Sequence, residues 1–181
     1  MESQLATLFL EHAHKKLEQQ TARILTCLEK LTEEQMWARG AEHENAIGNL
    51  VLHLCGNVRQ WILMGVGKQS FDRDRDGEFN ARGHATIAEL SLKLRNTVEQ
   101  ARNVMALQTA ESLTLRTTVQ GYEGSYLDCI FHVLLHFSEH TGQIQYITKT
   151  CTGQELGFYT HLKKTQHGDQ LHMFHGIVSP C

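Results

Sequence analysis

The stretch "SYLDCIFHVLLHFSEHTGQIQYITK", residues 125–149, decides the fold of this 181-residue chain. It contains no proline, and its first residues, "SYLD" (125–128), form a capping sequence that predicts the start of one long α-helix. Apolar side chains cover nearly every side of this helix, so we expect it to be central in the fold or shared with a partner subunit. It also carries three histidines one turn apart, which are His132, His136 and His140.

Three amphipathic segments precede this helix. The second of them ends at "GVGK" (65–68), because glycine readily adopts the backbone angles of a C-terminal cap. The third begins at the capping box "TIAE" (86–89). In the first, apolar residues recur every seven positions and predict a buried seam: Leu10, Leu17, Ile24 and Leu31. The three helices are expected at about residues 3–30, 45–64 and 86–105.

Four helices of this kind predict an all-α fold, a four-helix bundle. The links before and after the third helix are each about 20 residues long, so one of them is expected to cross the end of the bundle. The sequence "TEEQ" (32–35) predicts a short extra helical turn. The β-prone sequence "TLRTTVQGY" (114–122) predicts a short hairpin.

Composition excludes several classes of protein. The net charge of −3 provides no field that would recruit nucleic acid or an anionic membrane. We find no apolar run long enough to span a bilayer and no basic leader, so a secretory signal is not expected. The five cysteines are odd in number and widely spaced, which is typical of reduced thiols in a cytoplasmic protein.

The sequence "DRDRDG" (72–77) has the opening of a calcium-binding loop. The twelfth position of such a loop needs a bidentate carboxylate, and Gly83 occupies that place. Arginines 73 and 75 also lie among the supposed ligands. We therefore expect a solvated crossover loop here rather than a calcium site.

Two stripes of polar side chains interrupt the apolar faces of the second and fourth helices. Burying an unpaired polar group costs roughly 1–3 kcal/mol, so these stripes need partners, which they would find in each other if the two helices pack side by side. A metal ion would satisfy three imidazoles together, whereas hydrogen bonds could satisfy them one at a time. Twelve histidines also make any single spacing weak evidence. The stripes are Asn49, His53 and Asn57, and His132, His136, His140 and Gln143.

The segments "NLVLHLCGNVRQWI" (49–62) and "HVLLHFSEHTGQIQYITK" (132–149) resemble the DinB-like superfamily of metalloenzymes, which are small bacterial helix bundles. The loop "FDRDRDGEF" (71–79) and the sequence "ELGFY" (155–159) are similar to an uncharacterised branch of it. The resemblance implies a bundle of up-down-down-up topology over residues 1–160, a homodimer, and one divalent metal ion held by three histidines. The histidine-rich tail, 161–181, is expected to pack on the same unit or to be partly ordered.

Matched to the superfamily motif, the metal ligands are expected to be His53, His136 and His140. The resemblance leaves His132 as an additional histidine, which either supports the ligands from behind or fills space in the core. Gln143 and Asn57 are candidates for orienting an imidazole or a bound molecule. Three imidazoles suit zinc, nickel, manganese and iron, and we favour zinc or nickel.

Three neutral imidazoles leave a divalent ion with an open position, as in catalytic sites. Characterised relatives in the superfamily use small cellular thiols, so the favoured hypothesis is an enzyme that transfers a low-molecular-weight thiol to a small electrophile. The alternatives are a metal-dependent hydrolase and a stress protein that binds a metal or small molecule without turnover. We expect Cys55 and Cys129 to be core residues, because neither has an activating neighbour in the sequence.

Overall fold

Long α-helices form the body of the protein, seen here in a computed structural model that describes residues 2–162. The histidine-rich tail predicted for 161–181 therefore lies, from residue 163 onward, outside the described residues. Two of the six helices, α2 and α4, are short. In chain order the helices are α1 (Glu2–Leu28), α2 (Glu33–Trp37), α3 (Ile47–Val58), α4 (Arg75–Asn80), α5 (Ile87–Ala106) and α6 (Tyr126–Thr152).

The capping sequences predict where three helices begin. Each cap pairs a hydroxyl side chain with the third helical residue, and the side chain of that residue bonds back to the backbone N–H of the cap. The pairs are Thr32 with Gln35 before α2, Thr86 with Glu89 before α5, and Ser125 with Asp128 before α6. At its other end α6 stops at Gly153, whose φ of 65° is the left-handed conformation that glycine adopts most readily.

The second long helix changes its winding midway. After Val58 the chain continues without a break as a π-helix, Arg59–Val66, which ends at Gly67. The backbone N–H of Gly67 donates to the carbonyl of Ile62 at 2.8 Å, five residues earlier, where an α-helix would bond four residues back. The sequence predicts helix here but not the wider turn, because apolar periodicity does not separate the two windings over eight residues.

The four long helices form an up-down-down-up bundle, as the resemblance implies. Helix α1 packs against α5 and α6, and α3 packs against the same two helices. Gln20 of α1 contacts Ser138 of α6, and Gln35 of α2, just beyond the end of α1, donates to the Cys151 carbonyl near the end of α6. The contacts thus advance together along the chain, so α1 and α6 run parallel. Helices α3 and α6 run antiparallel, because Asn57 contacts His132 and the earlier residue 53 contacts the later residue 136.

A β-hairpin joins α5 to α6, as the sequence predicts. Strand β1 (Arg116–Val119) pairs antiparallel with strand β2 (Tyr122–Ser125). The two turn residues between them, Gln120 and Gly121, both have positive φ angles, as the tightest hairpin turns require. The Lys68 ammonium group donates to the Gly65 carbonyl and to Thr117, which ties the hairpin to the end of the π-helix.

The crossover between α3 and α5 is more ordered than the solvated loop that we predicted. Its aspartates are exposed, and Asp74 caps α4 by accepting from the Gly77 N–H. The loop nevertheless folds back onto α3, where the buried amide of Asn49 donates to the carbonyls of Glu78, Phe79 and Ala81. The arginine at position 39 shares its Nη2 between the Asn49 oxygen and the Phe79 carbonyl.

Within residues 2–162, the helices are too short or too polar for any of them to cross a membrane. The core lies between the four long helices, and its largest fully buried side chains include Leu17, Ile24, Leu54 and Phe137. These residues come from the predicted apolar faces. The bundle interior therefore follows from the helical periodicity of the sequence.

We expect Asn49→Ala to lower the free energy of unfolding by roughly 3 kcal/mol, because three backbone carbonyls lose a donor and the half-buried Arg39 loses an acceptor. Urea unfolding followed by circular dichroism measures the loss. The matched control is Asn96→Ala on the exposed face of α5, which should change stability by less than about 0.5 kcal/mol. Equal losses in the two variants would contradict the role of Asn49.

Candidate metal centre

Three histidines converge where α3 and α6 cross. Helix α3 contributes His53, and successive turns of α6 contribute His136 and His140. Each offers one ring nitrogen, and these nitrogens all lie within 4.8 Å of one another. The Nε2 atoms of His53 and His136 are 2.8 Å apart, and the ring centroids of His136 and His140 are 4.4 Å apart. This group could hold a metal ion.

Packing of the two helices fixes this arrangement. On α6, Val133, Phe137 and Ile144 are fully buried and set the rotation of the helix, which turns the two histidines toward α3. His53 is 5% exposed, whereas the two α6 histidines are half-buried. The group is therefore closed on the α3 side and more accessible on the α6 side.

The environment keeps the α6 imidazoles in the neutral form. Burial, followed by the proximity of His140 and His53, lowers the pKa of His136 to about 3. Burial also lowers the pKa of His140, although its hydrogen bond with Gln143 acts in the opposite direction. Because a neutral imidazole is the form that binds a metal ion, both side chains have the ligating form at neutral pH.

His132 lies beside the group without joining it. Its ring stacks on Trp61 with centroids 3.9 Å apart, and it lies 5.6 Å from the His136 ring in a parallel arrangement. Its Nε2 is 3.2 Å from Nδ2 of Asn57. Burial lowers its pKa as well. The three nitrogens that cluster are those of residues 53, 136 and 140, the residues that the resemblance suggests as ligands.

Only some residues of the two polar stripes contact the opposite stripe. Asn57 contacts His132 on α6, and Gln143 accepts a hydrogen bond from Nδ1–H of His140 at 2.7 Å. That bond leaves Nε2 of His140 with its lone pair. Asn49 was expected to face α6, and this expectation is wrong: its amide bonds to the crossover loop and to Arg39 instead. Its position at the first turn of α3 places it nearer to that loop.

The sequence reading missed two residues at this site, Arg73 and Glu78. The Glu78 carboxylate lies 3.0 Å from Nδ1 of His53, and Arg73 pairs with both of its oxygens, at 2.7 and 2.8 Å. Although burial raises the pKa of Glu78, hydrogen bonds from His53 and Arg73 hold it below its usual range. The loop stood out in the sequence as the calcium-like pattern "DRDRDG" and, in "FDRDRDGEF", as part of the resemblance, but neither pattern assigned Arg73 or Glu78 a role at the site.

The cysteines near the site belong to the core. Cys55 and Cys129 are fully buried, and burial raises the pKa of each thiol to about 11. Thiols with such pKa values are protonated at neutral pH and therefore make poor nucleophiles. The chemistry of the site therefore belongs to the imidazoles.

A helical bundle with a three-histidine centre is the class of protein that the fold and site define. The chain belongs to the family described as "Protein of unknown function (DUF1572)", whose sequence profile matches residues 4–163. Comparison with curated proteins finds none that matches the chain.

Solved structures share the fold. A DinB-like protein from Bacillus cereus ATCC 10987 superimposes with a TM-score of 0.59 at 17% identity, over 72% of this chain and 85% of that one. A conserved protein from Enterococcus faecalis superimposes with a TM-score of 0.58 at 14% identity, over 84% of this chain and 98% of that one. The predicted resemblance to DinB-like proteins is thus confirmed at the level of the fold.

We expect the metal-free protein to lose stability as the pH falls below about 6.5. The unfolded imidazoles take up protons near that pH, whereas His136, with a pKa of about 3, resists protonation in the folded state. Protons therefore favour the unfolded state throughout this range. Denaturant unfolding of chelator-treated protein between pH 7.5 and 4.5 measures the slope of free energy against pH.

His136→Gln should flatten this slope, and His84→Ala, which changes an exposed histidine, should leave it at the wild-type value. If His136→Gln keeps the wild-type slope, protonation of the buried imidazole does not control the acid sensitivity.

Proposed function

We propose that this chain is a metal-dependent enzyme that transfers a small thiol to an electrophile. The observation that supports this most is the convergence of three ring nitrogens within 4.8 Å at a place more accessible on one side. Three imidazoles give a donor set suited to a divalent ion, with zinc or nickel favoured, and leave one side of the ion for a substrate.

In this proposal His53, His136 and His140 bind the ion. Gln143 accepts a hydrogen bond from Nδ1–H of His140, which leaves the Nε2 lone pair of His140 free for the ion. His132, which stacks on Trp61, lies beside His136 and borders the site. When bound, a divalent ion of this kind lowers the pKa of a thiol or water molecule that it contacts.

The proposed reaction joins the thiol sulfur to an electrophilic carbon. The thiol proton is released to solvent, the new S–C bond forms, and the leaving group departs with the electron pair of the bond that breaks. Cys55 and Cys129, the buried thiols of α3 and α6, are unsuited to this nucleophilic role, because their pKa values are about 11. In this proposal the reactive sulfur belongs to a free low-molecular-weight thiol as cosubstrate, in line with the resemblance to thiol-using relatives.

We expect the purified protein to bind one equivalent of divalent metal and to consume a thiol in the presence of a generic electrophile. Elemental analysis measures the metal, and loss of free thiol measures turnover with a panel of small thiols. His136→Ala should reduce both to background, because it removes one of three ligands. His84→Ala, an exposed histidine on the crossover, is the matched control and should retain both.

The result also separates the alternatives. Metal at unit stoichiometry with ester hydrolysis but no thiol consumption would favour a hydrolase at the same centre. Bound metal without either activity would favour a metal-binding or small-molecule-binding stress protein. A folded protein that takes up no metal would contradict every one of these functions that depends on a metal ion.

We also propose that the protein is a homodimer that pairs through α6. Besides its buried face, this helix presents a second apolar face to solvent, where Leu127, Phe131 and Leu135 are 40–51% exposed. These three residues are spaced by four and form one stripe along the helix. Burial of such a stripe against its copy is favourable at roughly 25 cal/mol per Å² of apolar surface.

Replacing Phe131 by glutamate should convert the dimer to a monomer, because a charge would have to be buried in the interface. Light scattering after size-exclusion chromatography measures the molar mass. Leu92→Glu changes a residue of α5 that is 59% exposed and should leave the dimer intact. Wild-type protein that runs as a 20.6 kDa monomer would contradict the pairing.

A further inference from the structure

A buried ion pair lies directly behind His53. The side chains of Arg73 and Glu78 are 4% and 11% exposed, so the pair is almost fully removed from solvent. Arg73 Nε donates to Glu78 Oε1, and Arg73 Nη2 donates to Glu78 Oε2. The same Oε2 lies 3.0 Å from Nδ1 of His53. An imidazole is thus held between a carboxylate on one side and His136 on the other.

Two hydrogen-bond partners compete for Nδ1 of His53. Glu78 Oε2 lies 3.0 Å away and can only accept, whereas Arg73 Nη2 lies 3.1 Å away and can only donate. If His53 carries its proton on Nδ1, it donates to Glu78 and its Nε2 has a lone pair. If the proton is on Nε2, Nδ1 accepts from Arg73, and Nε2 cannot bind a metal ion.

The hydrogens of Arg73 decide between the two tautomers. Nη2 carries two hydrogens, and it has two other acceptors: Glu78 Oε2 at 2.7 Å and the His53 backbone carbonyl at 3.3 Å. Nη1 donates to Gln60 at 2.8 Å. If the two hydrogens of Nη2 go to these two acceptors, none is left for Nδ1 of His53. Every group then has a partner only when Nδ1 of His53 carries its own hydrogen and donates it to the Glu78 carboxylate.

We propose that Glu78 is a positioning residue that holds His53 as the Nδ1–H tautomer and so leaves Nε2 to bind the metal. This inference rests on the proposed function in one respect, namely that His53 is a ligand. Nε2 of His53 is the atom that faces His136, so the tautomer that Glu78 selects points the lone pair into the three-histidine group. A carboxylate behind a ligating imidazole also raises the basicity of that ligand.

Three further features keep Glu78 in place. Arg73 engages both oxygens, which holds the carboxylate toward His53 instead of toward the centre. Gly56 provides the space, because a Cβ atom there would lie 1.8 Å from Glu78 Oε1 and 2.9 Å from Arg73 Nε. The buried Asn49 amide binds the Glu78 carbonyl and so anchors the backbone that carries the side chain.

The test compares Glu78→Gln with Asp76→Asn, two acid-to-amide changes in the same short helix. Asp76 is exposed, so its variant controls for the lost charge. Glutamine keeps the size of Glu78 but offers one acceptor oxygen in place of two, and Arg73 competes for it. We expect Glu78→Gln to weaken Zn²⁺ binding by about 10-fold and Glu78→Ala by up to about 100-fold, with Asp76→Asn within about 2-fold of wild type. Competition with a fluorescent chelator measures these affinities.

A second readout needs no metal. In metal-free protein labelled with ¹⁵N-histidine, the ring nitrogen shifts distinguish the Nδ1–H from the Nε2–H tautomer. His53 should be Nδ1–H in the wild type and in Asp76→Asn, and Nε2–H should appear in Glu78→Gln and Glu78→Ala. Circular dichroism establishes that each variant is folded. If the alanine variant does not fold, the isosteric glutamine variant alone decides whether Glu78 selects the tautomer of His53.

Unchanged tautomer and unchanged Zn²⁺ affinity in Glu78→Gln would overturn the positioning role. Wild-type protein that binds no Zn²⁺ would overturn the proposed function instead. The ¹⁵N measurement would still report whether Glu78 selects the tautomer, so the two failures can be told apart.

Discussion

The antiparallel packing of α3 against α6 is the constraint on which the site depends. It places imidazoles in a largely apolar interface, where an unpaired polar group costs roughly 1–3 kcal/mol. The protein meets this cost by setting polar side chains opposite one another: His53 faces His136, and Asn57 faces His132. Burial then lowers the pKa values of the α6 imidazoles, because a charged ring would be poorly solvated there. The same packing that stabilises the bundle thus produces a cluster of neutral nitrogen donors.

The crossover loop completes this arrangement from outside the bundle. Among the described residues, the four long helices offer Nδ1 of His53 no partner, and the crossover supplies Glu78 of α4 at 3.0 Å. The loop is in turn held by groups of the body: Asn49 binds three of its carbonyls, and Gln60 accepts from Arg73. A long connection that a minimal bundle would not need therefore has a structural reason. It covers the closed side of the histidine group and satisfies its buried polar atoms.

Much of the fold follows from the sequence, since helical periodicity, capping boxes and turn residues are local signals. The starts of α2, α5 and α6 follow from them directly. The β-prone sequence at 114–122 indicates the hairpin, although its second strand continues to Ser125. The convergence of residues 53, 136 and 140 needed the resemblance to DinB-like proteins as well, because a spacing of four does not say what lies opposite. Glu78 could not be found in this way. Its partner His53 is 25 residues away, and only the path of the loop brings them together.

The difference between His132 and its two neighbours shows what spacing leaves open. Along α6 the three histidines are equivalent, each one turn from the next and on the same side of the helix. The part of α3 that lies opposite each histidine determines its surroundings. Because the helices run antiparallel, the turn that carries His53 lies opposite residues 136 and 140, and the following turns lie opposite residue 132. There the winding widens into a π-helix, and Trp61 stacks on the imidazole at 3.9 Å. His132 therefore contacts an aromatic ring and an amide instead of His53. It lies beside the cluster, while His136 and His140 face His53.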